Sequence, residues 1–360
     1  MLGKIRELIV NNKLYFWLVV FILVINLLVF VDRKVQEAGE KKEAAVRVEE
    51  EPAQEKPAMF GEEDAEARQE KLEKLAKENP VLYMFLALLN LTIIFMLLVG
   101  IGLDVYFLVR FVKKRPVDIR IRQQEDPKWG IGDVVRVTLL FLAFGYVFVI
   151  VQSFFAGLFP ILRNENFRMI FNTAMMNVVG ISVIVYFITR KHGQDIEAIG
   201  ITGKRVLGGI FYAVIGYLAL VPVLILIMVG TFLVTKWLAY KPPVQPIVQV
   251  FMEEKETAIL WLSTLFAAVF GPIAEEIFFR GFMYKAIKKS IGIFWAMVIT
   301  SAIFSFLHTH IVGFLPIMVL GMLLAYLYEK TGSLVPSMTV HIIHNVGMVI
   351  LVFLIRNIGV

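Results

Sequence analysis

Nine apolar runs decide what this chain can become. They occupy about 14–31, 81–112, 134–159, 167–189, 206–235, 257–289, 291–307, 314–328 and 334–355. Most reach the roughly 18 consecutive apolar residues that a helix needs to cross a bilayer. A water-soluble domain cannot hide so many uninterrupted runs. A transmembrane barrel would show short alternating segments instead of continuous ones. The expected fold class is therefore all-α: a polytopic integral membrane helical bundle with about nine transmembrane helices.

Charge divides the chain into four regions. Residues 1–31 read as an N-terminal signal-anchor helix, with Lys4, Arg6 and Lys13 ahead of the apolar run and no small-residue cleavage site after Val31. Residues 32–80 form an acidic polar insert, expected outside the cytoplasm. A Pro-containing break at Glu51–Pro57 divides it, and Glu62–Glu78 has the Glu/Lys/Ala/Leu content of a solvated helix. The insert reads as a charged spacer or as a docking element for substrate or partner. Residues 81–256 supply additional transmembrane helices, and 257–355 the candidate catalytic core. Basic clusters at Arg110–Arg122, Arg190–Arg205 and Lys285–Lys289 alternate with spans poor in Lys and Arg. By the positive-inside rule this places the N-terminus in the cytoplasm and the C-terminus outside. The chain is expected to be a multi-pass protein of the cell (inner) membrane.

No cysteine is present, so thiol nucleophiles, disulfides and thiolate metal sites are excluded. Ionisable side chains inside a bilayer cost about 3 kcal/mol each on insertion scales, which makes them functional candidates. They gather in three stretches: GPIAEEIFFRGF (271–282), FSFLHTH (304–310) and HIIHN (341–345). Glu276 and Arg280 are four apart and share a helix face, where they can pair. Glu275 points about 100° away, free to hold a water and act as a general base. The plain alternative is a buried ion pair that fixes helix packing. Four of the five histidines (His308, His310, His341, His344) fall in the same region. His341 and Asn345 again lie four apart, an imidazole and an amide suited to orienting water or an oxyanion. His310 and His344 read mainly as packing residues. Counted from the basic turn near Lys289, Glu275 lies ~21 Å and His308 ~28 Å along their helices. Their convergence therefore requires a tilt or a kink.

These residues carry a resemblance. EEIFFR matches EExxxR, Phe304–His308 matches FxxxH and His341–Asn345 matches HxxxN. In that order the three motifs resemble the type II CAAX-processing and bacteriocin-processing (CPBP, Abi) intramembrane endopeptidases, over roughly 257–355. The resemblance implies that Glu275 activates water together with His308. It also implies that His341 and Asn345 hold the oxyanion and that Glu276, Arg280 and Phe304 support the site. It implies a glutamate-dependent enzyme with no expected cofactor. Were zinc to bind, Glu275, His308 and His341 would be its ligands. The acidic insert and the extra N-terminal helices depart from the eukaryotic members and argue against prenylated substrates. The implied partners are the bilayer and a membrane-embedded or membrane-tethered protein or peptide, with no nucleic acid; the oligomeric state stays open.

Rival readings are weaker. Gly130–Asp133 fits the GxGD of intramembrane aspartyl proteases, with Asp104 as second carboxylate, but Asp133 opens a helix and is better explained as a cap. No serine-containing elbow accompanies the histidines. A non-enzymatic scaffold or sensor would be expected to lose some of the motif residues. A proton-coupled transporter would be expected to repeat them in a second half.

Overall fold

A computed structural model describes residues 12–46, 73–115, 125–203, 205–240, 242, 245–308 and 311–358. In chain order the helices are α1 (Lys13–Val46), α2 (Pro80–Val112), α3 (Ile131–Phe155), α4 (Glu165–Tyr186), α5 (Val206–Trp237), α6 (Pro246–Glu253), α7 (Thr257–Ile291), α8 (Ile293–Phe306), α9 (Phe314–Thr331) and α10 (Leu334–Ile358). No strand occurs among the described residues. Eight of the helices are long and apolar enough to cross a membrane, so the protein is a polytopic helical membrane protein. The ninth expected span, α8, has 14 residues. At 1.5 Å per residue it is ~21 Å long, short of the ~30 Å hydrocarbon layer.

Apolar length alone set these helices, and their ends follow local chemistry. Pro80 sits in the first turn of α2, where a missing N–H costs nothing, and the Asn79 side chain caps the Leu82 N–H at 3.1 Å. Helix α1 does not stop at Val31, where the apolar run ends. It continues to Val46, into the polar insert. Of the helix expected over Glu62–Glu78, residues 73–78 are helical, and 62–72 lie outside the described residues.

The chain divides into two compact units. In the first, α1 packs on α3, α3 on α4, and α4 on the Thr257–Leu265 turns that open α7. Asp133 stands in the first turn of α3, and its carboxylate accepts the Gly130 N–H at 3.3 Å. The same carboxylate pairs with Arg136 and Lys191. The first contact is the capping that the sequence implied for the GxGD stretch, and the ion pairs add to it.

In the second unit α8 and α9 form a hairpin, α9 and α10 pack on α5, and α2 packs on α5. The core here is Ala213, Leu320, Leu324, Leu327 and Val340. At the basic end of α7, buried Lys285 donates to the carbonyls of Ala198 (2.7 Å) and Glu125. Lys289 reaches the Pro127 carbonyl at 3.1 Å. Lys288 and the Tyr284 hydroxyl both hold Glu329. Gly200 turns at φ +87, where a Cβ would lie 2.7 Å from the Tyr328 ring, and its carbonyl accepts the Leu334 N–H. These contacts fix the α7 end and the start of α10, two of the three helices that carry motif residues.

Candidate active site

Helix α7 is not a uniform helix. Its backbone widens to five-residue turns over Phe266–Phe270 and again over Ile277–Tyr284, with ordinary helix over Gly271–Glu276 between them. Wide turns of this kind recur at functional positions because they re-aim side chains. The short regular stretch carries both carboxylates and sends them to different surroundings. The Glu276 side chain is fully buried, while that of Glu275 is 37% exposed.

Glu276 is the centre of a buried polar chain. Its Oε1 accepts from Arg280 Nη1 at 2.8 Å and from His341 Nδ1 at 3.0 Å. An ionised carboxylate only accepts, so His341 carries its proton on Nδ1 and turns Nε2 away from Glu276. That Nε2 lies 3.6 Å from Glu275 Oε2. Arg280, Glu276, His341 and Glu275 therefore form one chain, with three members buried and the last half-open. Arg280 also donates to the Gly321 carbonyl at 3.3 Å, and its guanidinium lies 4.5 Å above the Phe304 ring centroid. Gly321 makes that approach feasible: a Cβ there would lie 3.1 Å from Ser301 Cβ and 3.3 Å from Arg280 Nη2.

Phe304, fully buried on α8, joins the second motif to the others. Its ring meets Phe279 at 5.1 Å, His341 at 5.5 Å and His308 at 4.7 Å between centroids. His308 lies just beyond the end of α8. Its Nδ1 donates to the Phe304 carbonyl at 2.8 Å, since a carbonyl can only accept, and this leaves Nε2 as the free acceptor. Among the described residues no carboxylate pairs with a ring nitrogen of His308. Among the described residues no group of three His, Asp or Glu side chains converges as a metal site.

The third motif splits. Asn345 Nδ2 donates to the Ala267 carbonyl at 2.8 Å, on the first wide turn of α7. His344, read from sequence as packing, bonds through Nδ1 to the Tyr217 hydroxyl of α5 at 3.0 Å. His310 lies outside the described residues. Sequence reasoning missed Tyr217, Ser301 and Gly321. A hydroxyl inside an apolar run marks the first two, and nothing local marks Gly321. Three buried atoms beside the chain have no partner: Glu276 Oε2, Arg280 Nε and Ser301 Oγ. Buried polar atoms without partners are expensive and concentrate at functional sites.

The fold and the site together define a multi-pass helical membrane protein whose second unit holds a carboxylate–histidine cluster between helices. Residues 257–347 match the family described as Type II CAAX prenyl endopeptidase Rce1-like, and over that stretch the chain resembles this family. It is also similar to a protein of Bacillus subtilis (strain 168) described as "Putative membrane peptidase YdiL", 30% identical over 90 residues. That alignment covers 25% of this chain and 37% of the relative, so the chain spans little more than a third of the curated relative it matches. No solved structure matches the chain.

Proposed function

We propose that the protein is an intramembrane endopeptidase that hydrolyses a peptide bond of a membrane-embedded or membrane-tethered protein or peptide precursor. One observation carries the reading: two adjacent carboxylates placed on either side of one imidazole, with only Glu275 open. Charge counting gives the working state. Arg280 and Glu276 neutralise each other, so the cluster is neutral when Glu275 and His341 share one further proton. A buried cluster without net charge is the least costly arrangement in a low-dielectric interior.

In the active form Glu275 is the carboxylate and His341 the imidazolium. Glu275 takes a proton from water as the water oxygen bonds to the scissile carbonyl carbon. The carbonyl electron pair moves to oxygen, where the His341 Nε2–H donates to the oxyanion. Collapse breaks the C–N bond, and the leaving nitrogen takes the proton from Glu275, which returns to carboxylate. The free Nε2 of His308 serves as a second acceptor for the attacking water. Glu276 and Arg280 set the tautomer and direction of His341, and Phe304 holds both rings.

The reaction uses no metal, and cleavage in membranes washed with chelator should equal that in untreated membranes. The basic ends of the helices face the cytoplasm of a cell membrane, with the N-terminus inside. The decisive test compares new protein termini in native membranes by quantitative mass spectrometry, wild type against Glu275→Gln. Termini that disappear in the variant, at equal protein level, name the substrate and scissile bond. An unchanged set of termini would overturn the reading and make the cluster architectural.

A further inference from the structure

In the first unit α1 and α4 both pack on α3, and a groove of about 460 Å³ lies among the three helices. Tyr15 lines it from α1, Leu140 from α3, and Val179, Ser182 and Val183 from α4. Lys191 lines its polar end, at the close of the wide turn Phe187–Lys191 that follows α4. From Val179 to Lys191 the chain advances ~18 Å at helical rise, close to the ~15 Å depth of one hydrocarbon leaflet. Ser182 is exposed, so the groove opens sideways to lipid.

The polar end carries more positive than negative charge. Arg136 and Lys191 both pair with Asp133, their acidic partner among the described residues. Two permanent cations on one carboxylate leave one positive charge over, before His192 is counted, whose Nε2 lies 3.0 Å from the same carboxylate. Donors remain as well. Arg136 spends one N–H on Asp133 and one on Asn12 at 3.0 Å, and Lys191 spends one on Asp133. A guanidinium has five N–H groups and an ammonium three, so both can still donate to a phosphate. Helix α1 has reason to gain a neighbour here. No residue of its membrane-crossing stretch Lys13–Asp32 is buried. Its start is tied to this end of the groove by Asn12 and by the Tyr15 ring, 5.6 Å from the Arg136 guanidinium.

We propose that this groove binds one anionic phospholipid of the leaflet that the basic helix ends face. Its acyl chain lies along Leu140, Val179 and Val183, and its phosphate takes the spare N–H groups of Lys191 and Arg136. Basic pockets between membrane helices select anionic headgroups in this way. The bound lipid bridges α1 to α4 across α3 and completes the packing of α1.

The test is native mass spectrometry of the full chain from detergent micelles, incubated with equal amounts of dioleoyl phosphatidylglycerol and dioleoyl phosphatidylcholine. The anionic lipid should be retained as a one-to-one adduct about tenfold over the zwitterionic one, as two cations facing a net negative headgroup allow. Ser182→Trp fills the groove from an exposed position whose hydroxyl bonds the Val178 carbonyl of its own helix. It should cut the adduct about tenfold by displacing the acyl chain from its apolar walls. Lys191→Gln should cut it about fivefold, the worth of one lysine beside an anionic headgroup. The anionic lipid should also raise the Tm of wild type and not that of Ser182→Trp, because a ligand of the folded state stabilises it by mass action. Equal retention of the two lipids, or an adduct unchanged by Ser182→Trp, overturns the proposal and leaves ordinary lipid contact. A Tm rise as large with inorganic phosphate alone also overturns it, since the site would then need no lipid. Should Lys191→Gln not accumulate, Ser182→Trp decides alone. Should neither accumulate, amine acylation of Lys191 in wild type decides: protection by the anionic lipid alone supports the proposal, and equal labelling with both lipids overturns it. None of these readouts depends on proteolysis.

Discussion

Replacing Arg280 by methionine keeps the side-chain length and removes the charge that neutralises Glu276. Both side chains are essentially inaccessible, 1% and 0% exposed, so solvent cannot compensate. In the proposed working state Glu275 and His341 share one proton, so the variant must place an additional proton on a carboxylate to stay neutral. At pH 7, protonating a carboxyl that titrates near 4.3 when free costs ~2.7 units of 1.36, or about 3.7 kcal/mol. This agrees with the ~3–5 kcal/mol found when one partner of a buried pair is removed. The sign with pH is fixed. The folded variant keeps a proton that the unfolded chain releases, so its deficit against wild type grows by ~1.4 kcal/mol per pH unit above the free carboxyl range. Equilibrium unfolding in mixed micelles from pH 7.5 to 5.5 should show the deficit shrinking by about 2.7 kcal/mol. The double variant Glu276→Gln/Arg280→Met carries neither charge and should recover part of the loss with little pH dependence. A deficit below ~1 kcal/mol at pH 7, or one flat with pH, would refute the claim that Glu276 is charged and held by Arg280.

Other outcomes follow from the same contacts. Gly321→Ala puts a Cβ 3.1 Å from Ser301 Cβ and 3.3 Å from Arg280 Nη2, an overpacking expected to cost ~1–3 kcal/mol in the same unfolding assay. Lys285→Met removes a buried ammonium from the Ala198 and Glu125 carbonyls. It should cost ~2–4 kcal/mol and increase protease cutting between residues 195 and 200, since bonds from charged donors are the stronger ones. Glu254 accepts the Glu256 N–H first and the Asn166 amide second, each at 2.8 Å, which holds its pKa below the ordinary carboxylate value. A depressed carboxylate stabilises fully above its unfolded pKa and loses that contribution as pH falls through the folded one. Glu254→Gln should therefore lower stability near neutrality and flatten its acid limb, read by Tm between pH 3 and 7.

The helices and the pairing of residues along one helix are legible in the chain because both rest on short-range rules. Apolar length commits a segment to the bilayer wherever it packs. Four-residue spacing puts Glu276 and Arg280 on one face, and the structure pairs them at 2.8 Å. Adjacent residues diverge by about 100°, and Glu275 stays half-open while Glu276 is buried. The Asp133 cap is equally local, its carboxylate accepting the N–H of Gly130 three residues back.

What tertiary packing decided is what those side chains face. HxxxN places His341 and Asn345 on one face of α10, yet only the opposing helix assigns their partners. It gives His341 a place between two carboxylates and gives Asn345 the Ala267 carbonyl. Tyr217 lies 127 residues from His344, and Gly321 lies 41 from Arg280. No local periodicity links such pairs. His308, ~28 Å along its helix from the turn, is held by Phe304, whose carbonyl takes its Nδ1–H and whose ring also meets His341. A sequence states which groups are too costly to leave unpaired in a membrane. Only the packed helices choose the partner, because hydrogen bonds and ring contacts act over a few ångströms and the chain must fold to bring them within that range.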